Sequence, residues 1–239
     1  MQAFIEGMPK AELHVHIEGT LEPELSFALA KKNNIELPFE TPEALIAAYD
    51  FHDLPSFLKI YYAGMSVLID EADFYQLTWD YLAKAASQNV IYTEIFFDPQ
   101  GHTSRGVAFD TVITGIRKAQ TDAEKKLGIK SQLIMCFLRD MSAESAMEHL
   151  EMAKPYLGWL VGVGLDSDEY NNPPVKFRDV FKLAAGLSST RVAPAAKRGY
   201  YGLAFLLIDR IAQREGLQHL HNLCASADRQ GLTVVPRSW

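Results

Sequence analysis

The chain has 239 residues, enough for one large domain or two small ones. At 48% hydrophobic and 22% charged residues it has the composition of a soluble globular protein. A net charge of −7 with no basic patch argues against a polynucleotide partner and for a small molecule. The only two cysteines, Cys136 and Cys224, are far apart and in no paired motif, which argues against a disulfide framework and a Cys-based zinc site. The start of the chain shows no basic region followed by a long apolar stretch, and no apolar run reaches membrane-spanning length. The expectation is a cytoplasmic protein with no membrane partner.

In chain order, residues 11–17 alternate and end in β-formers, which predicts a buried strand. Residues 21–34 carry Leu21, Leu25, Ala28 and Leu29 at helical spacing, with Pro23 and Glu24 suited to a first turn. Thr41 before Pro42 reads as a cap for a helix through Tyr49, and Leu54, Phe57 and Tyr61 share a helical face. A helix over 72–88 precedes a strand over 89–98. Residues 109–127 are helical, stopped by Gly128, and lead to a strand over 129–139. A helix over 142–154 and a strand over 158–167 follow.

Strands alternating with helices imply a parallel sheet covered by helices. Each predicted strand ends in polar residues, and function sits at carboxyl strand ends in barrels and open sheets alike. No Gly-x-Gly-x-x-Gly follows the first strand and no Walker A sequence is present, so an α/β barrel of the TIM type is favoured over a nucleotide fold.

His14 and His16 are two apart in the first strand. Side chains at that spacing project to one face, about 7 Å apart along the strand. Two imidazoles placed so suit one zinc-like ion, although a catalytic centre needs a third protein ligand and an open position. Two buried histidines satisfied by backbone and carboxylate partners are the plainer alternative. Leu13, Val15 and Ile17 should face the helical layer. None of His52, His102, His149, His219 and His221 stands convincingly at the end of a later strand.

The stretch "PKAELHVHIEGTLEPE" (9–24) resembles the first strand of the adenosine/adenine deaminase family of metal-dependent amidohydrolases. "EIFFDPQ" (94–100) and "VGLDSDEYNNPPVKF" (163–177) are similar to its bacterial adenine-specific branch rather than the nucleoside branch. The resemblance spans about residues 8–193 and implies a (β/α)₈ barrel with a helical insertion, here 39–69. It implies that His14 and His16 are metal ligands for one divalent ion, zinc. It also implies that Glu18 and Gly19 contact substrate, that Leu54 and Phe57 lie on a helix hooding a purine, and that Asp166 to Glu169 line the base pocket. Glu94 is expected to be a structural partner inside the barrel mouth. The implied reaction is hydrolytic deamination of adenine to hypoxanthine and ammonia, with a nucleoside deaminase, another amidohydrolase, or a non-turning-over purine binder as alternatives.

Beyond Ala193 the pattern changes. Where the family carries His-Ala-Gly-Glu, the third ligand and the acid, this chain reads Pro194, Ala195, Ala196 and Lys197. The later Asp-His-Gly and Ser-Asp-Asp motifs have no counterpart. The expectation is therefore a single domain, 1–239, holding four to five βα units over 8–193 and a divergent region over 186–239. In that domain the barrel is incomplete, no catalytic acid or orienting residue is identified, zinc binds weakly and turnover is low.

Overall fold

The computed structural model describes residues 2–187, which lie within one compact unit, Met1–Ala196; a second unit, Lys197–Trp239, lies outside the described residues. The readings placed on 188–239 therefore fall outside the described part.

A short helix α1 (Gln2–Gly7) leads into strand β1 (Lys10–His16), which turns through a 3-10 segment (Ile17–Thr20) into α2 (Pro23–Asn33). Ile17 thus leaves the strand predicted for it, but its side chain is still fully buried in the core. Helix α3 (Pro42–Ala48) starts where Thr41 accepts a hydrogen bond from the Ala44 N–H. Helix α4 (Leu54–Met65) begins at a reciprocal cap between Asp53 and Ser56, and α5 (Glu71–Ser87) at a like cap between Asp70 and Asp73. Strand β2 (Val90–Phe97) passes into a five-residue helix α6 (Pro99–Thr103) and then α7 (Phe109–Leu127). Gly128 ends α7 at φ 74°, where an L side chain would be strained. Strand β3 (Lys130–Leu138), helix α8 (Ala143–Ala153) and strand β4 (Leu160–Asp166) follow, with α9 (Arg178–Leu187) last. The strand predicted to start at Gly158 starts at Leu160, because residues Lys154–Trp159 wind as a 3-10 turn behind Pro155.

The four strands are parallel and adjacent in sequence order, β1-β2-β3-β4, as the first four βα units of a barrel require. One face of the sheet carries Ile95, Phe97, Leu133, Met135, Phe137, Val163 and Leu165 into the main apolar core, with Phe74, Leu77, Ile113 and Ile116 of α5 and α7. Alternation sends His14, His16, Phe96 and Cys136 to the opposite, inner face. Helices α5 and α7 pack closest at Gly115, where a Cβ would fall 2.5 Å from the Glu71 carbonyl oxygen. Gly164 does the same on the inner face: a Cβ there would lie 2.6 Å from the Cys136 sulfur.

Among the described residues no helix is long and apolar enough to cross a membrane.

Candidate metal site at the strand ends

His14 and His16 share a face, as a two-residue spacing in a strand dictates. Their ring centroids are 5.5 Å apart, and both rings pack on Phe96, at 4.8 and 5.1 Å. Phe96 is the pairing partner of His16 across β1 and β2, so sheet register itself seats the two imidazoles.

Carboxylates come to His16 from two other strands. Its Nδ1 lies 3.3 Å from Asp166 Oδ2 and 3.8 Å from Asp98 Oδ1. Asp166 is the last residue of β4, and Asp98 follows the last residue of β2. Donor atoms of His16, Asp98, Cys136 and Asp166 all lie within 4.8 Å of one another. Partial desolvation, then the neighbouring His16, pushes the His14 pKa down to about 4, although the side chain keeps an exposed edge. Burial acts on His16 in the same direction, but Asp166 and Asp98 outweigh it and hold His16 up at about 10. Burial, then the Asp98 charge, raises the Asp166 carboxyl well above the usual range. Asp98 is held low: burial opposes this, but contact with His16 prevails. Burial, then Asp166 and Asp98, pushes the Cys136 thiol up, so sulfur carries its proton here.

The residues fit a divalent cation on one observation. Asp98 Oδ1 and both oxygens of Asp166 are buried and make no well-formed hydrogen bond, with only His16 Nδ1 standing 3.3 Å from Asp166 Oδ2. Buried carboxylate oxygens without donors are costly, and a cation is what removes that cost.

The other expected site residues spread more widely. Glu18 is buried and its carboxylate meets protein donors: the Asp98 N–H at 2.9 Å, His102 Nε2 at 3.0 Å and Tyr61 Oη at 3.3 Å. Gly19 sits behind it, and a Cβ there would make ordinary contact with the Tyr61 ring at 3.5 Å. Phe57 on α4 packs on Tyr61, ring centroids 5.7 Å apart, and Tyr61 donates a hydrogen bond to Asp98 Oδ2 at 2.9 Å. Leu54, at the start of the same helix, is exposed. Tyr62 joins Ser167 just past β4, hydroxyl to hydroxyl at 2.9 Å, and Ser167 adopts φ 71°. Glu94 is half-buried on β2 and accepts a hydrogen bond from Tyr92.

Residues that sequence reasoning left without a role, Asp98, Cys136, Tyr61 and His102, turn out to be central. Asp98 had a signal: it lies two residues past Phe96 on the His face, at a carboxyl strand end. His102 had none in a strand pattern. It stands directly behind β2, because α6 folds the chain back beneath Glu18, and its ring is fully buried.

The model of the family described as "Adenosine deaminase" matches residues 9–196. An adenine deaminase of Vibrio parahaemolyticus is 55% identical over 199 residues, 83% of this chain and 59% of that protein. One from Psychrobacter cryohalolentis is 54% identical over 247 residues, 98% of this chain and 73% of that protein. The second alignment runs past Ala193, so similarity to some relatives extends beyond the stretch expected to carry it. Among solved structures, the adenine deaminase of Arthrobacter aurescens superposes with a TM-score of 0.72 at 50% identity, over 74% of this chain and 54% of that one. A Burkholderia ambifaria amidohydrolase shares the fold with a TM-score of 0.72 at 24% identity, over 80% of this chain and 52% of that one. The chain thus spans little more than half the length of several proteins that it resembles. With parallel strands in barrel order, a histidine pair facing inward and a family match over most of its length, this chain belongs to the adenosine deaminase family.

Proposed function

We propose that the site serves metal-assisted hydrolytic deamination of a purine base, with adenine as substrate and hypoxanthine and ammonia as products. The carrying observation is the group of donor-less buried carboxylate oxygens around His16, which suits a cation at the carboxyl ends of the strands. High identity to enzymes named adenine deaminase supports adenine as the base.

His14 and His16 would hold one divalent ion, with zinc favoured; the Burkholderia structure of the same fold was solved with zinc bound. When bound, such an ion lowers the pKa of a coordinated water toward neutrality and so makes hydroxide available. His14 contributes an imidazole that is unprotonated at neutral pH. Asp98 and Asp166 orient His16 and balance the cation's charge. Phe57 and Tyr61 offer aromatic surface beside this centre, suited to the face of a purine. A ring nitrogen must also be protonated, which is general acid work. Pro194 and Lys197 stand where the family carries the third ligand and the acid. Loss of a general acid costs roughly 10²–10⁴ in rate, so base binding should outlast turnover in this chain.

The test is purified full-length chain with zinc, measuring adenine binding by calorimetry and ammonia release in parallel. The expected result is zinc-dependent adenine binding with release far below that of the Vibrio relative. Release equal to that relative's would overturn the loss of the acid. Absence of zinc-dependent adenine binding would overturn the reading itself, and preferential binding of adenosine would assign the nucleoside branch instead.

A further inference from the structure

We infer that Glu18 and His102 form a buried clamp that positions Asp98 against His16, with Tyr61 held on Asp98, making Glu18 and His102 positioning residues for the metal site rather than substrate contacts. This rests on the metal reading above.

The hydrogen bonds have a definite direction. A terminal guanidinium nitrogen of Arg105 stands 2.9 Å from His102 Nδ1 and shares its two hydrogens among that nitrogen and the carbonyls of Met65 and Leu68. A guanidinium has donors only, so Nδ1 accepts and the ring hydrogen sits on Nε2. That hydrogen points at Glu18 Oε1, 3.0 Å away, and the same oxygen accepts the Asp98 N–H at 2.9 Å. Both side chains are fully buried, and the Phe74 ring meets His102 edge-on at 4.8 Å. Glu18 therefore fixes the backbone of Asp98. Tyr61 fixes its side chain, because the hydroxyl hydrogen goes to the nearer acceptor, Asp98 Oδ2 at 2.9 Å, rather than to Glu18 Oε2 at 3.3 Å.

The clamp also reaches the helix that carries Tyr61. Arg105 donates to the carbonyls of Met65, Ser66 and Leu68, the last turn of α4 and the residues after it. The Met65 carbonyl also accepts from the Leu68 N–H at 3.1 Å, so Arg105 reinforces the turn that closes the helix. One guanidinium thus ties α4, α6 and the His102 tautomer together. The outcome is a chain of contacts from Arg105 through His102 and Glu18 to Asp98, ending on His16 Nδ1. Oε1 takes two protein donors, and the whole Glu18 side chain is closed off from solvent, so it is not presented to a ligand.

The experiment is cobalt(II) titration of the full-length chain, reading affinity and the visible absorption spectrum, which reports coordination geometry. Thermal midpoints of the metal-free variants are measured alongside. His102→Ala should bind cobalt about 10–100-fold more weakly, the usual cost of losing an outer-shell partner. It should also shift the spectrum. His102→Gln, whose amide nitrogen can still donate to Glu18, should restore most of the affinity. Leu77→Ala, a core change away from the site, should lower the midpoint and leave the affinity alone, separating positioning from general stability. His102→Ala with unchanged affinity and spectrum would overturn the clamp while leaving the metal reading intact. So would a folded His102→Gln that binds no better than His102→Ala. If the unaltered chain fails to bind cobalt, the metal reading falls and the clamp with it. Should His102→Ala fail to fold, Tyr61→Phe decides, since it keeps the ring and removes only the hydroxyl: weaker binding supports the clamp and unchanged binding overturns it.

Discussion

Asp166→Asn should make the metal-free protein more stable and the zinc response smaller. Both oxygens of Asp166 and one of Asp98 are buried without donors, and the two carboxylates crowd the same His16 nitrogen. Asparagine keeps the shape, ends the crowding of two acids and supplies an amide donor that Asp98 Oδ1 lacks. An unsatisfied buried polar group costs about 1–3 kcal/mol, so relief of that order is expected. In a domain of this size each kcal/mol moves the midpoint by about 2–4 °C, giving a rise of roughly 2–12 °C without metal. In the unaltered chain, zinc at a hundredfold excess over its dissociation constant should add about 2.7 kcal/mol. By the same relation a 10–100-fold weaker site would lose about 1.3–2.3 kcal/mol of this, which is about half of the gain or more. The assay is thermal unfolding by circular dichroism, in chelator and at fixed free zinc. A lower metal-free midpoint for Asp166→Asn, or an undiminished zinc shift, would refute the claim that this acid pair is kept for a cation.

Three further outcomes follow from the packing. The Asp73 carboxylate is buried and accepts from Lys32 at 2.6 Å, Asn33 at 2.7 Å and the N–H groups of Ile69 and Asp70 at 3.0 and 3.1 Å; Asp73→Ala should cost about 2–4 kcal/mol at neutral pH by urea unfolding. Burial raises the Asp73 pKa, but Lys32 and the backbone donors hold it below the ordinary value, so this contribution is full above the unfolded carboxyl's pKa of about 3.9 and fades as pH falls through the folded one. The Asp73→Ala deficit should therefore shrink in acid, and a deficit constant to pH 2, about two units below that reference value, would contradict this. Gly115→Val should force α5 and α7 apart and cost about 1–3 kcal/mol, because even a Cβ falls 2.5 Å from a backbone oxygen; unchanged unfolding would show that the helices yield freely. Tyr62→Phe removes a single hydroxyl contact to Ser167 and should cost about 1 kcal/mol with zinc affinity retained, as measured by melting and by competition with a chelating dye.

Much of the architecture was open to reading in one dimension because its causes are local. Apolar runs read as strands ending at residues 17, 98, 139 and 167 each end one residue earlier in the structure, and Thr41, Ser142 and Gly128 mark helix ends by side-chain capping or left-handed backbone. The spacing of His14 and His16 was sufficient for a shared face, since a strand offers no other arrangement. The family resemblance brought the proposed metal ligands His14 and His16, and Asp166, into view through motifs that survive as strings.

What the string could not express is which strand ends converge. Asp98 and Asp166 are 68 residues apart in number, yet both reach His16, because a parallel sheet gathers the carboxyl ends of β1, β2 and β4 on one edge. Glu18 follows the histidine motif like a ligand contact, but the 3-10 turn after His16 carries its carboxylate inward, to His102 and the Asp98 N–H. His102 lies on no strand and fits no metal spacing; α6 alone delivers it. Local propensities and spacings therefore determined the elements and the inward pair of histidines. Tertiary structure decided which acids face that pair and which glutamate is held by protein, because those relations depend on register and chain reversal between segments rather than on the periodicity of any one of them.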